Sequence, residues 1–359
     1  MTHSTDKRWD QLAGVLVDHS VETGKDDRVL VIMREPETFA LARAVYARLT
    51  ERGAFPQVLF QSVYLEKELM KHGTHEQVAW VPELFETGMK WADVCIDIRG
   101  AANLSEFAGI ATDIVSLHRK AEGKISALRT TGTRWVLIRV PNEAFAQSAG
   151  QSLDDVMEFF FNATIKDWAS ESGRLGAICE KLTGTRRVRI TGTETDLTFS
   201  TEGRIYAADD GHINMPAGEI YTSPIEESAE GHITFENPGV FAGTLIHGIR
   251  LRFKAGVVVD ASAQSNEEFL IQLLDMDEGS RRIGEFGIGT NQDVTFFSND
   301  ILYDEKMFGS VHIALGRSYP QCGGLNDSAL HWDIIKDLRQ SGTVYVDERE
   351  ILAGGKLLL

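Results

Sequence analysis

Over roughly the first 140 residues, short runs of almost continuous apolar character alternate with stretches whose apolar positions recur every three or four residues. The runs RVLVIM (28–33), PQVLFQ (56–61), VCIDIRG (94–100) and RWVLIRV (134–140) read as strands buried on both faces. Between them, residues 36–52, 63–72, 82–90 and 105–121 carry helical spacing, and Gly53 stops the first of these. Buried strands separated by helices predict a doubly wound, mostly parallel sheet.

Residues 151–182 read as one long helix, with Leu153, Val156, Phe159, Phe160 and Ile165 along its apolar side. The texture then changes. Residues 187–262 are dominated by short alternating strands with Gly, Asn and Asp turns, a helix is expected at about 265–275, and more strands follow. The chain is therefore expected to form two domains. Residues 1–165 make an α/β domain, and residues 166–359 make an α+β domain rich in antiparallel strands. No repeat of fixed period and no low-complexity tract interrupts this plan.

Composition narrows the function classes. A chain of 359 residues, 43% hydrophobic and 25% charged, has enough apolar mass for two cores. Its formal net charge of −17 repels phosphate backbones, so no nucleic-acid partner is expected. Cys95, Cys179 and Cys322 are far apart and odd in number, which suits a reducing compartment rather than a disulfide framework; Cys95 sits in an apolar run and reads as core. The opening MTHSTDKRWD is no secretory leader, and no run approaches about 18 consecutive apolar residues, so the expectation is a cytoplasmic protein without a membrane partner.

The common catalytic fingerprints are missing. There is no GxxxxGK[ST] loop, no GxGxxG after the first strand, no HExxH and no GxSxG. What remains is a set of metal-ligating side chains in the second half. Glu219 lies in MPAGEIYTSP, Glu285 in IGEFGIGTN, His312 in GSVHIALGRSYP, and His331 with Asp333 in SALHWDII. On a strand, residues two apart share a face, so His331 and Asp333 aim at one point while Trp332 turns away. Glu219 and Glu285 sit among glycines and apolar residues that read as buried. A buried carboxylate must be neutralised, paired or bound to a cation. Three carboxylates and two imidazoles form a mixed N/O set suited to Zn, Co, Mn or Fe(II). Each residue alone has a plainer reading, as a turn Glu or a satisfied core His; it is the five together that point to metal.

These segments resemble the aminopeptidase T-type metallo-aminopeptidases. The resemblance rests on MPAGEIYTSP, IGEFGIGTN, the run EKMFGSVHIALG (Glu305 to Gly316) and the later H-x-D, in that order, and is close over about residues 200–335. It implies two divalent metal ions per subunit, held by Glu219, Glu285, His312, His331 and Asp333. Glu285 is expected to bridge them, because glycines flank it. The resemblance further implies a catalytic role for Tyr319, as donor to the tetrahedral oxyanion, and a homodimer with an enclosed cavity. The expected activity is removal of N-terminal residues from peptides by a metal-activated water. Two other chemistries fit the same scaffold. One is a mononuclear Fe(II) ring-cleaving dioxygenase of the dihydroxypyridine type, using His312, His331 and Asp333; the other is a non-peptidase amidohydrolase. The intact carboxylates favour hydrolysis. No separate general base stands out, since Glu226 and Glu227 read as a solvated turn.

Overall fold

The computed structural model describes residues 6–100, 103 and 106–359. The reading of the first five residues and the start of the helix expected at 105 lie outside them. The chain forms two compact units: Met1–Trp168 with Gly211–Pro216, and Ala169–Asp210 with Ala217–Leu359.

In the first unit, β1 (Arg28–Arg34), β2 (Phe55–Gln61), β3 (Val94–Gly100) and β4 (Arg134–Val140) are all parallel, in the order β2-β1-β3-β4. A short strand, Asn214–Met215, adds in parallel to β4. β3 is buried along almost its whole length, as a central parallel strand covered on both faces should be. The intervening helices are α1 (Phe39–Glu51), α2 (Val63–His72), α3 (Glu83–Trp91) and α4 (Thr112–Gly132). Ser62 caps α2 by accepting from the Tyr64 N–H. Leu30, Ile32, Phe85, Met89 and Ile125 pack one face of the sheet together with Cys95, which is core as expected.

Two helical expectations change. The helix expected over 105–121 starts later and runs on to Gly132, because Gly109 takes φ +85° and the chain turns there first. The single helix over 151–182 is two, α5 (Leu153–Thr164) and α6 (Trp168–Leu182). At the break the Thr164 hydroxyl donates back to the Phe160 carbonyl, and the Trp168 indole N–H donates to the Thr164 carbonyl. The Trp168 indole thus satisfies a carbonyl that a continuous helix would pair with a backbone N–H.

Among the described residues the second unit contains two large antiparallel sheets and a two-stranded antiparallel pair, Gly239–Phe241 with Thr244–Ile246. One has eight strands, including Arg187–Gly192, Thr195–Ser200 and Arg250–Lys254. The other has five: β5 (Ala207–Asp209), β6 (Glu219–Thr222), β7 (Ile283–Gly289), β8 (Ser310–Gly316) and β9 (His331–Asp337), in the order β9-β8-β7-β6-β5. Ile220, Phe286, Ile288, Ile313, Leu315, Trp332 and Ile334 enter the same core as Val188, Ile190, Leu197 and Phe199, with Phe199 and Phe286 rings 5.1 Å apart. The alternation of the strand then sends Glu219, Glu285, His312, His331 and Asp333 to the other face. The two-residue period of four strands thus gathers five polar side chains on one surface. No helix among the described residues is long and apolar enough to cross a membrane.

Candidate metal centre

The register of the five-stranded sheet sets the spacing of the site. Glu219 pairs with Gly289, His312 with Gly287, and Ala314 lies between Glu285 and Asp333. Small residues stand opposite the polar ones, which leaves room for the side chains to lean together. Gly287 is the tightest case: a Cβ there would lie 2.0 Å from the His312 ring, so the imidazole lies directly across the glycine backbone.

All five sequence-predicted ligands come together. His312 Nε2 lies 3.4 Å from Glu285 Oε1 and 3.6 Å from Glu219 Oε2. His331 Nε2 lies 3.4 Å from Glu285 Oε2 and 3.7 Å from Asp333 Oδ2. Two triads result, Glu219–Glu285–His312 and Glu285–His331–Asp333, each with its ligand atoms within 4.8 Å of one another. Glu285 belongs to both and gives one oxygen to each.

These residues fit a metal. The 3.4–3.7 Å contacts are long for charge-assisted hydrogen bonds. They match ligand atoms about 2.1 Å from a shared tetrahedral ion, which stand about 3.4 Å apart. Glu219 Oε2 and Asp333 Oδ1 are buried without a hydrogen-bond partner, an arrangement too costly for carboxylates that have no other use. His331 Nδ1 lies 2.9 Å from the Arg317 carbonyl, so it carries the proton and leaves the Nε2 lone pair facing the cluster. His312 Nδ1 has no such partner.

Without an ion the charges hold one another. Burial alone would raise the Glu285 carboxyl, but His312 and His331 bring it down to about 2. Burial works against the imidazolium forms, yet the surrounding carboxylates push His312 up to about 10 and His331 up to about 9. Burial drives the Glu219 carboxyl well above its ordinary value. Cation binding therefore has protons to displace.

Tyr319 stands beside the second triad. Its hydroxyl is 3.4 Å from His331 Nε2, and its ring is 5.2 Å from that of Tyr221, which shares a face with Glu219 on β6. Burial, and after it the charges of Glu285 and Asp333, push the phenol well above its ordinary value, so it stays protonated.

Sequence reasoning missed Lys306. Its ammonium is fully buried, 2.6 Å from Glu219 Oε1, 2.6 Å from Glu305 Oε1 and 2.9 Å from Asp209 Oδ2. Within YDEKMFG it stands among charged residues, a pattern usual for a solvated run. The available signal was its place in the same glycine-bounded run as His312. Of the other residues weighed, Glu226 is tied to Arg204 at 2.7 Å and to the Leu325 N–H, while Glu227 is exposed. Of the histidines that lie near these motifs in the sequence, His232 and His247 are exposed, and His212 belongs to the first unit.

Known proteins share the sequence and the fold of this chain. The chain is 29% identical over 277 residues to Aminopeptidase 2 of Geobacillus stearothermophilus, covering 63% of this chain and 65% of that one. It is 26% identical over 306 residues to Aminopeptidase T of Thermus thermophilus, covering 73% and 74%. It thus spans about two thirds to three quarters of the length of these relatives. Its fold is that of wild-type AmpT from Thermus thermophilus, with a TM-score of 0.88, 22% identity, and 98% and 99% of the two chains covered. A more distant likeness of fold is to 2,5-dihydroxypyridine dioxygenase from Pseudomonas putida, with a TM-score of 0.63, 13% identity, and 100% and 98% covered. The family of thermophilic metalloproteases (M29) matches residues 5–352, nearly the whole chain: the chain belongs to the M29 family.

Proposed function

We propose that the chain removes N-terminal residues from peptides, using two divalent cations held by Glu219, Glu285, His312, His331 and Asp333, with Glu285 spanning the pair. The observation that carries this reading is the position of Glu285, whose two oxygens lie against different imidazoles in different triads. Zn, Co and Mn all suit the N/O donor set.

The ions would supply Lewis acidity, lowering the pKa of a shared water and polarising the scissile carbonyl. The rest falls to side chains. Tyr319, protonated and beside His331, donates a hydrogen bond to the carbonyl oxygen as it gains negative charge. Lys306 holds one oxygen of Glu219 and leaves the other turned toward His312. The carboxylate-rich lining suits a substrate with a free α-ammonium group, which restricts cleavage to the first residue of a peptide. As the resemblance implies, the enzyme works as a homodimer. A cytoplasmic location suits its three free, buried cysteines.

Elemental analysis of the purified protein beside Glu219→Ala, with aminoacyl-anilide hydrolysis on both, tests the reading. About two equivalents of Zn, Co or Mn, reduced in the variant together with activity, supports it. One equivalent of iron, indifferent to Glu219→Ala, refutes it.

A further inference from the structure

A second concentration of buried charge lies in the first unit, at the carboxyl ends of its parallel strands. Arg34 on β1, Arg99 on β3 and Arg139 on β4 stand in register across three neighbouring strands. Arg129 joins them from α4, and all four line a cavity of about 340 Å³. Asp97, two residues before Arg99, is fully buried behind them. It accepts from Arg34 Nε at 2.9 Å, Arg99 Nη2 at 2.9 Å and Arg129 Nη1 at 2.9 Å.

Three guanidiniums therefore share one carboxylate, with Arg139 beside them. Three further carboxylates line the cavity, Glu35, Glu66 and Glu122. Glu35 accepts from the Ser62 hydroxyl at 2.8 Å and the Val63 N–H at 2.6 Å. Glu66 faces His118 at 3.7 Å, and Glu122 comes no nearer than 3.9 Å to Arg34. The Arg129 Nε is buried without an acceptor. Burial, and the opposed effects of Asp97 and of Arg34 with Arg139, leave the Arg99 guanidinium below its ordinary value.

The location has its own meaning. From β1 the sheet extends to β2 on one side and to β3 and β4 on the other. Open parallel sheets bind ligands in the crevice outside the carboxyl ends of their strands at such a reversal. Glu35, the first residue after β1, takes φ +73°, a conformation rare for a side chain of its kind. Gly100 ends β3 where a Cβ would come within 3.2 Å of the Arg34 carbonyl, so the two strand ends run close beneath the cavity.

We propose that this crevice is a second ligand site, which takes a small oxyanion against the wall formed by Arg34, Arg99, Arg129 and Arg139. Planar guanidiniums recognise carboxylate and phosphate oxygens alike. A free α-amino acid and inorganic phosphate both present that group. They differ in that an amino acid also carries an ammonium, for which Glu66 and Glu122 line the same cavity. The residues of the metal centre belong to the other unit.

Calorimetric titration of the full-length, metal-loaded protein with inorganic phosphate and with L-leucine, each against sodium chloride of equal ionic strength, tests this. The expected result is saturable binding of at least one of them below ~1 mM, weakened at least tenfold by Arg99→Gln and by Arg139→Gln. Weakening of leucine alone by Glu122→Gln identifies the amino acid as the ligand class. Phosphate binding indifferent to Glu122→Gln identifies the plain oxyanion. If Arg99→Gln loses its native circular dichroism, Arg139→Gln decides. Affinity weaker than ~10 mM for both probes overturns the proposal. So does binding that survives the arginine substitutions unchanged, as it would if the anions sat at the metal centre.

Discussion

Lys306 Nζ lies 2.6 Å from Glu219 Oε1 in a site where both side chains are almost wholly out of water. Glu305 and Asp209 complete a ring of three carboxylates round one ammonium. Lys306→Met leaves those carboxylates buried without their cation, and breaking a buried pair from one side costs about 3–5 kcal/mol. The expected outcome is a loss of that order in urea unfolding of the chelated protein, together with a fall in aminoacyl-anilide turnover. Lys306→Arg is expected to restore little, because a planar fork does not replace a compact ammonium bound on three sides. A loss of under ~1 kcal/mol would mean that the ring is not the constraint it looks like.

Gly287→Ala tests the packing that places His312. The new Cβ would fall 2.0 Å from the ring, so the imidazole must move. Apart from Glu285, the rest of β7 is apolar or small and keeps its own packing. We expect a folded protein that retains less than its full complement of metal, with turnover reduced on the order of a hundredfold by displacement of a reacting group. Wild-type metal content and rate in this variant would mean that the ring can shift without consequence.

These two residues mark the limit of what the sequence reveals. The convergence of Glu219, Glu285, His312, His331 and Asp333 was legible because each sits in a strand-like tract bounded by glycine or proline, and a period of two carries them to one face. The parallel strands were legible for the same kind of reason: a run such as VCIDIRG has too few polar positions for a half-exposed strand. Lys306 was not legible, because a Glu-Lys pair after Asp304 looks the same whether it is solvated or folded inward. Only the convergence of Asp209 and Glu219, far away in the chain, makes the difference. The break between α5 and α6 was hidden because the apolar spacing continues through it.

Glu285→Ala separates a shared carboxylate from a ligand of one ion. Because its oxygens face His312 and His331 separately, its loss should empty both positions. Asp333→Ala touches only the triad containing His331. Elemental analysis should therefore find metal content near zero in Glu285→Ala and about one equivalent in Asp333→Ala, against about two in the parent protein. Equal losses in the two variants would remove the argument that Glu285 spans the pair.

Asp97 gives a prediction in acid. Burial would raise its carboxyl, but Arg99, Arg34 and Arg129 hold it at about 2, below the ordinary 3.8. A group depressed on folding contributes stability that is present above its unfolded pKa and lost as pH falls through the folded one. For Asp97 that window runs from about pH 4 to about pH 2, and a depression of this size corresponds to roughly 2 kcal/mol. In Asp97→Asn, stability at pH 7 should fall, because three guanidiniums lose their common partner. Between pH 4 and pH 2 the variant should lose less than the parent, so the two unfolding curves converge as the acid limit is approached. Urea titrations at pH 7, 4, 3 and 2 measure the gap. A gap that stays constant across that range would show that Asp97 keeps its proton equilibrium on folding and that the three arginines do not act on its charge.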